Sequence, residues 1–152
     1  MVRNILAVIA SFVVIYAIVI AGNAVAYTVL GPDRVYHPGV WDITLLWGAT
    51  MLVIGLVAAL VAGFSCAKIA RNRKGAVLTL AAVIAVLGLA QLGLVLAAPE
   101  PEDPVRPDDF TMEQAMTNAR QPVWFALVNP IVAVSGILIG ANVAARGHKS
   151  ES

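Results

Sequence analysis

The sequence predicts an all-α membrane protein: an antiparallel bundle of four transmembrane helices, with both termini cytoplasmic and a short interfacial helix in the last outer loop. Three observations predict it. Of 152 residues, 60% are hydrophobic and 12% charged, about half the charge of a soluble domain. The charge is segregated, leaving four tracts, 5–30, 43–67, 76–98 and 123–145, without Asp, Glu, Lys, Arg or His. Finally, Lys and Arg are shared unequally between the segments that join these tracts. The whole chain, 1–152, reads as one membrane domain with an acidic outer loop over 99–122.

Each tract reaches the roughly 20 apolar residues that cross a hydrocarbon core. Backbone groups in lipid must bond within their own segment, which selects helices. The alternation of a membrane β-strand is absent. Arg3 before tract one and Ala24-Val25-Ala26 within it resemble parts of a signal peptide. The apolar run is longer than a signal core, so the tract is read as a retained span. Gly31-Pro32-Asp33 and His37-Pro38-Gly39 make the first outer loop a series of turns. The inner loop, 68–75, is shorter still, and short loops make antiparallel neighbours of the helices they join. In the last outer loop, Pro99 to Pro104 is acidic and extended. Thr111 and Gln114 then form a capping box, with Met112, Ala115, Met116 and Ala119 at helical spacing behind it. Pro130 falls inside tract four and predicts a kink.

Orientation follows from the cations. Arg3, Lys68, Arg71, Arg73, Lys74, Arg146 and Lys149 lie on one side, and Arg34, Arg106 and Arg120 on the other. The richer side is cytoplasmic by the positive-inside rule, and the expected home is the bacterial inner membrane. Its basic loop suits anionic lipid headgroups better than nucleic acid. Trp41, Trp47 and Trp124 cluster at the outer helix ends, where aromatic anchors favour the headgroup level.

Membrane helices associate through close packing, because lipid tails compete well with apolar side chains. Small residues at intervals of four mark such faces: Gly55, Ala59 and Gly63 in the second tract, Gly136, Gly140 and Ala144 in the fourth. Whether these faces meet within one chain or between chains is open at this point. Asn23, Thr50, Gln91 and Asn129 fall at a similar depth, about 10 Å below the outer helix ends when counted at 1.5 Å per residue. They form either a layer of packing hydrogen bonds or a small polar pocket.

Several chemistries lack their residues. Cys66 is the sole cysteine, which excludes the quinone-linked disulfide oxidoreductases with four helices. No acid lies within a span, unlike the ion-coupled transporters; the small multidrug transporters are similar in outline alone, lacking here their embedded glutamate. The charged helix motif of the microsomal glutathione-transferase type is also missing. His37 and His148 flank opposite ends, so no metal site joins them. Asp108 and Asp109 are adjacent loop acids without a catalytic partner. No cofactor is implied, and the chain reads as a non-enzyme.

The run Arg3-Asn4-Ile5-Leu6-Ala7-Val8-Ile9-Ala10 resembles the start of a group of short bacterial membrane proteins with four helices. Val61-Ala62-Gly63-Phe64-Ser65-Cys66-Ala67-Lys68-Ile69-Ala70 and Pro122-Val123-Trp124-Phe125 continue the resemblance. It implies the same four-span fold and no known activity. Members of that group carry an acid and a histidine near the outer end of helix one, where this chain has Ala24 and Thr28. The functional expectation is an accessory or assembly subunit that packs with itself or with a larger membrane complex. The alternative is a passive pore or carrier for a small neutral or lipid-like ligand.

Overall fold

A computed structural model describes residues 2–97, 106–107, 110–111, 114 and 117–146. The described elements are α1 (Val2–Leu30), a single turn α2 (Pro32–Val35), α3 (Leu45–Ile69), α4 (Arg73–Ala97) and α5 (Val123–Arg146). Four of them are long and apolar enough to span a bilayer, so the chain is a multi-pass membrane protein. α3 packs on α1 and α5, α4 packs on α5 and α1, and α1 does not touch α5. Around the bundle the order is therefore α1–α3–α5–α4. The short turn does not make α3 and α4 the closest pair, since each meets α5 more extensively than it meets the other. The small-residue face of α3 is already occupied by α5.

Side-chain size sorts inside from outside. Ala58, Ala59, Ala62, Ala67, Ala76, Ala126 and Ala144 are buried, whereas Leu45, Leu94, Leu96 and Ile131 are exposed. This inverts the soluble pattern. Lipid solvates a leucine as well as a protein core does, so stability comes from how closely backbones approach. The closest approach is between α3 and α5. A Cβ on Gly63 would lie 2.8 Å from Ile137 Cα, and one on Gly140 would lie 3.0 Å from Leu60 Cα. A Cβ on Gly136 would lie 2.8 Å from that of Ala59. On the opposite side of α5, Pro130 sits against Gly88 of α4, whose added Cβ would be 3.1 Å from Pro130 Cγ.

Hydrogen bonds tie the loops at each end. At the end carrying Lys68, Arg71, Arg73 and Lys74, here the basic end, Asn4 Oδ1 accepts from the N–H groups of Arg71 and Asn72, each at 3.1 Å. Arg3 Nε donates to the Ile69 carbonyl at 2.8 Å. The start of α1 thus holds the turn between α3 and α4. At the other, capped end, Thr44 Oγ1 accepts from Trp47 N at 3.2 Å, capping α3, and donates to the Arg34 carbonyl at 2.6 Å. That cap explains why α3 begins at Leu45. Arg120 N donates to Trp41 O at 3.0 Å and Ile43 N to Arg120 O at 3.2 Å, stitching the two loops of this end together. Thr111 and Gln114 exchange the capping-box bonds, Thr111 N to Gln114 Oε1 at 2.8 Å and Gln114 N to Thr111 Oγ1 at 3.2 Å. Met112, Ala115 and Met116 of the expected interfacial helix lie outside the described residues, as do Pro99 to Pro104, Asp108, Asp109 and His148.

Replacing Gly63 or Gly140 by Val should destabilise the bundle by at least about 1–3 kcal/mol, because backbone atoms cannot rotate away from the added methyls. Gly93 has nothing within 4 Å of its Cβ direction, so Gly93→Ala should leave stability unchanged or raise it by about 0.5–1 kcal/mol. Cys66 is fully buried, and its labelling by a thiol-reactive dye during heating reports both.

Candidate functional site

Two neighbouring spaces are joined through Gln91 of α4. The inner one, about 210 Å³, is lined by all four long helices and is open where Tyr16 and Leu87 in its wall are exposed. α1 supplies the rings of Phe12 and Tyr16, which are 5.1 Å apart. Gly55 of α3, Gly88 and Gln91 of α4, and Asn129 and Pro130 of α5 complete the polar and small part of its wall. Among the described residues, its side-chain hydrogen-bonding groups are two amides and one phenol, and none of its lining side chains is charged. The second cavity is a vestibule of about 900 Å³ at the capped end. His37, Asp42, Asn118, Arg120 and Gln121 form its polar side, and Leu45, Val95 and Trp124 its apolar side. Gln91 lines the inner cavity, Gln121 lines the vestibule, and Gln91 Nε2 donates to Gln121 Oε1 at 3.0 Å. That bond marks the boundary between the two spaces.

Of the four polar residues grouped by depth, Gln91 and Asn129 line the inner cavity, and Asn23 and Thr50 do not. Thr50 Oγ1 donates back to the Leu46 carbonyl at 2.8 Å, within its own helix. Asn23 Oδ1 is buried without a hydrogen-bond partner. α1 runs 29 residues and packs Ala26, Tyr27 and Leu30 into the cap; its residues in the cavity wall lie between Phe12 and Val19. Gly55 also has a different place from Gly63 and Gly136. A Cβ there would meet Asn129 Oδ1 at an ordinary 3.6 Å, so Gly55 shapes the cavity more than it sets the α3–α5 separation. Ala59 and Ala144 are buried between helices.

The tryptophans divide. Trp41 and Trp47 are 6% and 8% exposed, whereas Trp124 is 39% exposed. Trp41 and Trp47 turn inward, into an aromatic cap that closes the bundle over Ala26, Tyr27, Leu30 and Met51. Tyr36, Trp41 and Phe110 meet edge to face with centroids 5.3 to 6.1 Å apart. Each such pair contributes about 0.5–1.5 kcal/mol beyond area burial. The Arg106 guanidinium lies 4.9 Å from the Phe110 ring and 5.6 Å from Tyr36. Its Nε and Nη1 are buried without hydrogen-bond partners. The cation is held by ring faces, in a loop whose sequence is rich in acids. Phe110, Arg106, Phe12, Tyr16 and Gly88 escape sequence reasoning. Only Gly88 carried a signal, standing seven residues after Ala81 on a helix whose small residues recur.

Burial raises the Tyr36 phenol above its ordinary value; nearby Tyr27 adds to the rise and Arg106 opposes it. Comparison with protein families, with curated proteins and with solved structures finds no match to this chain. The resemblance to short bacterial membrane proteins therefore identifies no family, and the four-span helical architecture is what stands.

The raised phenol predicts an alkaline weakness in the cap. An unfolded Tyr36 ionises near pH 10.0, while the native cap still holds its proton. Its contribution is complete below that pH and declines as pH rises from there through the higher native value. Unfolding followed by Trp41 and Trp47 fluorescence should lose stability above pH 10 in the parent chain. Tyr36→Phe should reduce that slope.

Proposed function

We propose that this chain is a non-enzymatic membrane protein that binds a small uncharged amphiphile within its bundle, acting as a passive carrier or receptor. The observation that carries this reading is the inner cavity: apolar and aromatic walls that also hold the amides of Gln91 and Asn129. Ligand sites combine apolar linings with a few placed polar groups in this way. The cavity suits a polar ring or head group able to exchange hydrogen bonds with amides. The vestibule supplies a route and a wider resting place, with the Gln91–Gln121 bond to be exchanged for bonds to the ligand on passage.

The accessory-subunit reading drew on the small-residue faces of the second and fourth spans. Within one chain those faces meet each other, Gly63 against Ile137 and Gly140 against Leu60, which supports the binding reading over that one. The proposal places the basic end in the cytoplasm and the vestibule outside, by the positive-inside rule, in a bacterial inner membrane.

Gly55→Leu is the sharpest variant, because its side chain enters the cavity without meeting backbone. Mass spectrometry of small molecules extracted from gently purified protein should find a stoichiometric neutral amphiphile in the parent chain. Gly55→Leu should lose it while keeping the parent melting behaviour. Gln91→Leu with Asn129→Leu should reduce occupancy about tenfold or more, from two hydrogen bonds near 1 kcal/mol each. A parent chain that carries no such molecule, or full occupancy in Gly55→Leu, contradicts the proposal.

A further inference from the structure

We propose that the basic end of the α4–α5 seam holds one anionic phospholipid, drawn from the adjacent leaflet. A groove of about 420 Å³ there is lined by Arg73, Lys74, Val77, Leu78, Leu138 and Asn142, among other residues. It is separate from the cavity and vestibule described above and does not depend on their ligand.

The lining is ordered as a phospholipid is ordered. Arg73 and Lys74 stand at the mouth, where α4 begins, and the positive end of the helix dipole adds to their charge. Neither has an ion-pair partner among the described residues. The sole acid in the flanking sequences of this end is Glu151. A phosphate diester matches that charge, and basic pockets between membrane helices take such head groups. Asn142 lies four residues before the end of α5 at Arg146, about 6 Å deeper at 1.5 Å per residue. It is exposed, and its amide has no hydrogen-bond partner among the described residues. An unpartnered amide facing hydrocarbon is costly. A lipid's glycerol ester carbonyl, one step below its phosphate, accepts the bond that the helix bundle does not supply. Val77, Leu78 and Leu138 then continue the groove as an apolar wall for an acyl chain. Charge, amide and hydrocarbon therefore follow in the sequence of phosphate, ester and chain.

Native mass spectrometry of the full chain tests this, with phosphatidylglycerol and phosphatidylcholine of identical acyl chains offered in equal amounts. The expected result is a single retained phosphatidylglycerol, favoured at least fivefold. Arg73→Gln with Lys74→Gln should abolish the preference, and Asn142→Leu should weaken retention of either lipid. Arg34→Gln, at the opposite end, should change nothing. Circular dichroism and Cys66 labelling confirm that each variant is folded. Equal retention of both lipids, a preference that survives the double substitution, or displacement of the lipid by millimolar inorganic phosphate overturns the proposal.

Discussion

The backbones of α3 and α5 approach so closely that only glycine fits at Gly63 and Gly140, and the remaining architecture is arranged around that contact. In water, burial of leucine would drive such a pair together. In lipid it does not, because the hydrocarbon already surrounds leucine on the outside. What remains is dispersion between atoms at contact distance and weak interactions between backbones. Both need side chains removed from the interface. The alanines and glycines of α3 and α5 meet that need, and most of the large apolar side chains of the spans face outward, with Leu80, Phe125 and Ile137 among those kept inside.

The cavity is a consequence of the same geometry. With α3 and α5 close together and α1 not touching α5, the two remaining helices cannot fill the centre at every level. Toward the basic end, Ala7, Leu80, Ala81 and Ile137 close it. Nearer the capped end, Gly55 and Gly88 contribute no side chain and Pro130 holds α4 and α5 together on one side. Space opens between them, and the amides of Gln91 and Asn129 face it. Polar groups placed in a span are costly unless bonded; Gln91 meets that cost through Gln121, and Asn129 stands in the cavity wall beside Gly55. Trp41, Trp47, Tyr36 and Phe110 join the loops of the capped end over α1 and α3, and the vestibule lies beside them, against the start of α5.

The four spans were legible because the bilayer imposes length and charge exclusion directly on sequence. The small-residue periodicity of Gly63, Gly136 and Gly140 was legible as a close-contact face, but intrachain pairing was not, since spacing does not name a partner. Of the four residues grouped by depth, Gln91 and Asn129 share the wall of one cavity and Asn23 does not, because depth along a helix does not say which way a side chain faces. Trp41 and Trp47 look like interfacial anchors in sequence. Trp41 meets Phe110, some 70 positions away, and Trp47 meets Tyr27 on α1, and no local pattern announces either meeting. Arg106 stacks on the rings of Phe110 and Tyr36, a contact that composition does not announce.

The central claim is that α3 and α5 meet within a single chain. Cysteines at positions 55 and 129, in a chain carrying Cys66→Ser, test it most directly, because Gly55 and Asn129 face each other across that pair. A short thiol cross-linker should join them inside the monomer, and mixed chains bearing one cysteine each should give no covalent dimer. Cross-links that form only between mixed chains would show that the two helices pair across molecules, and would contradict the account.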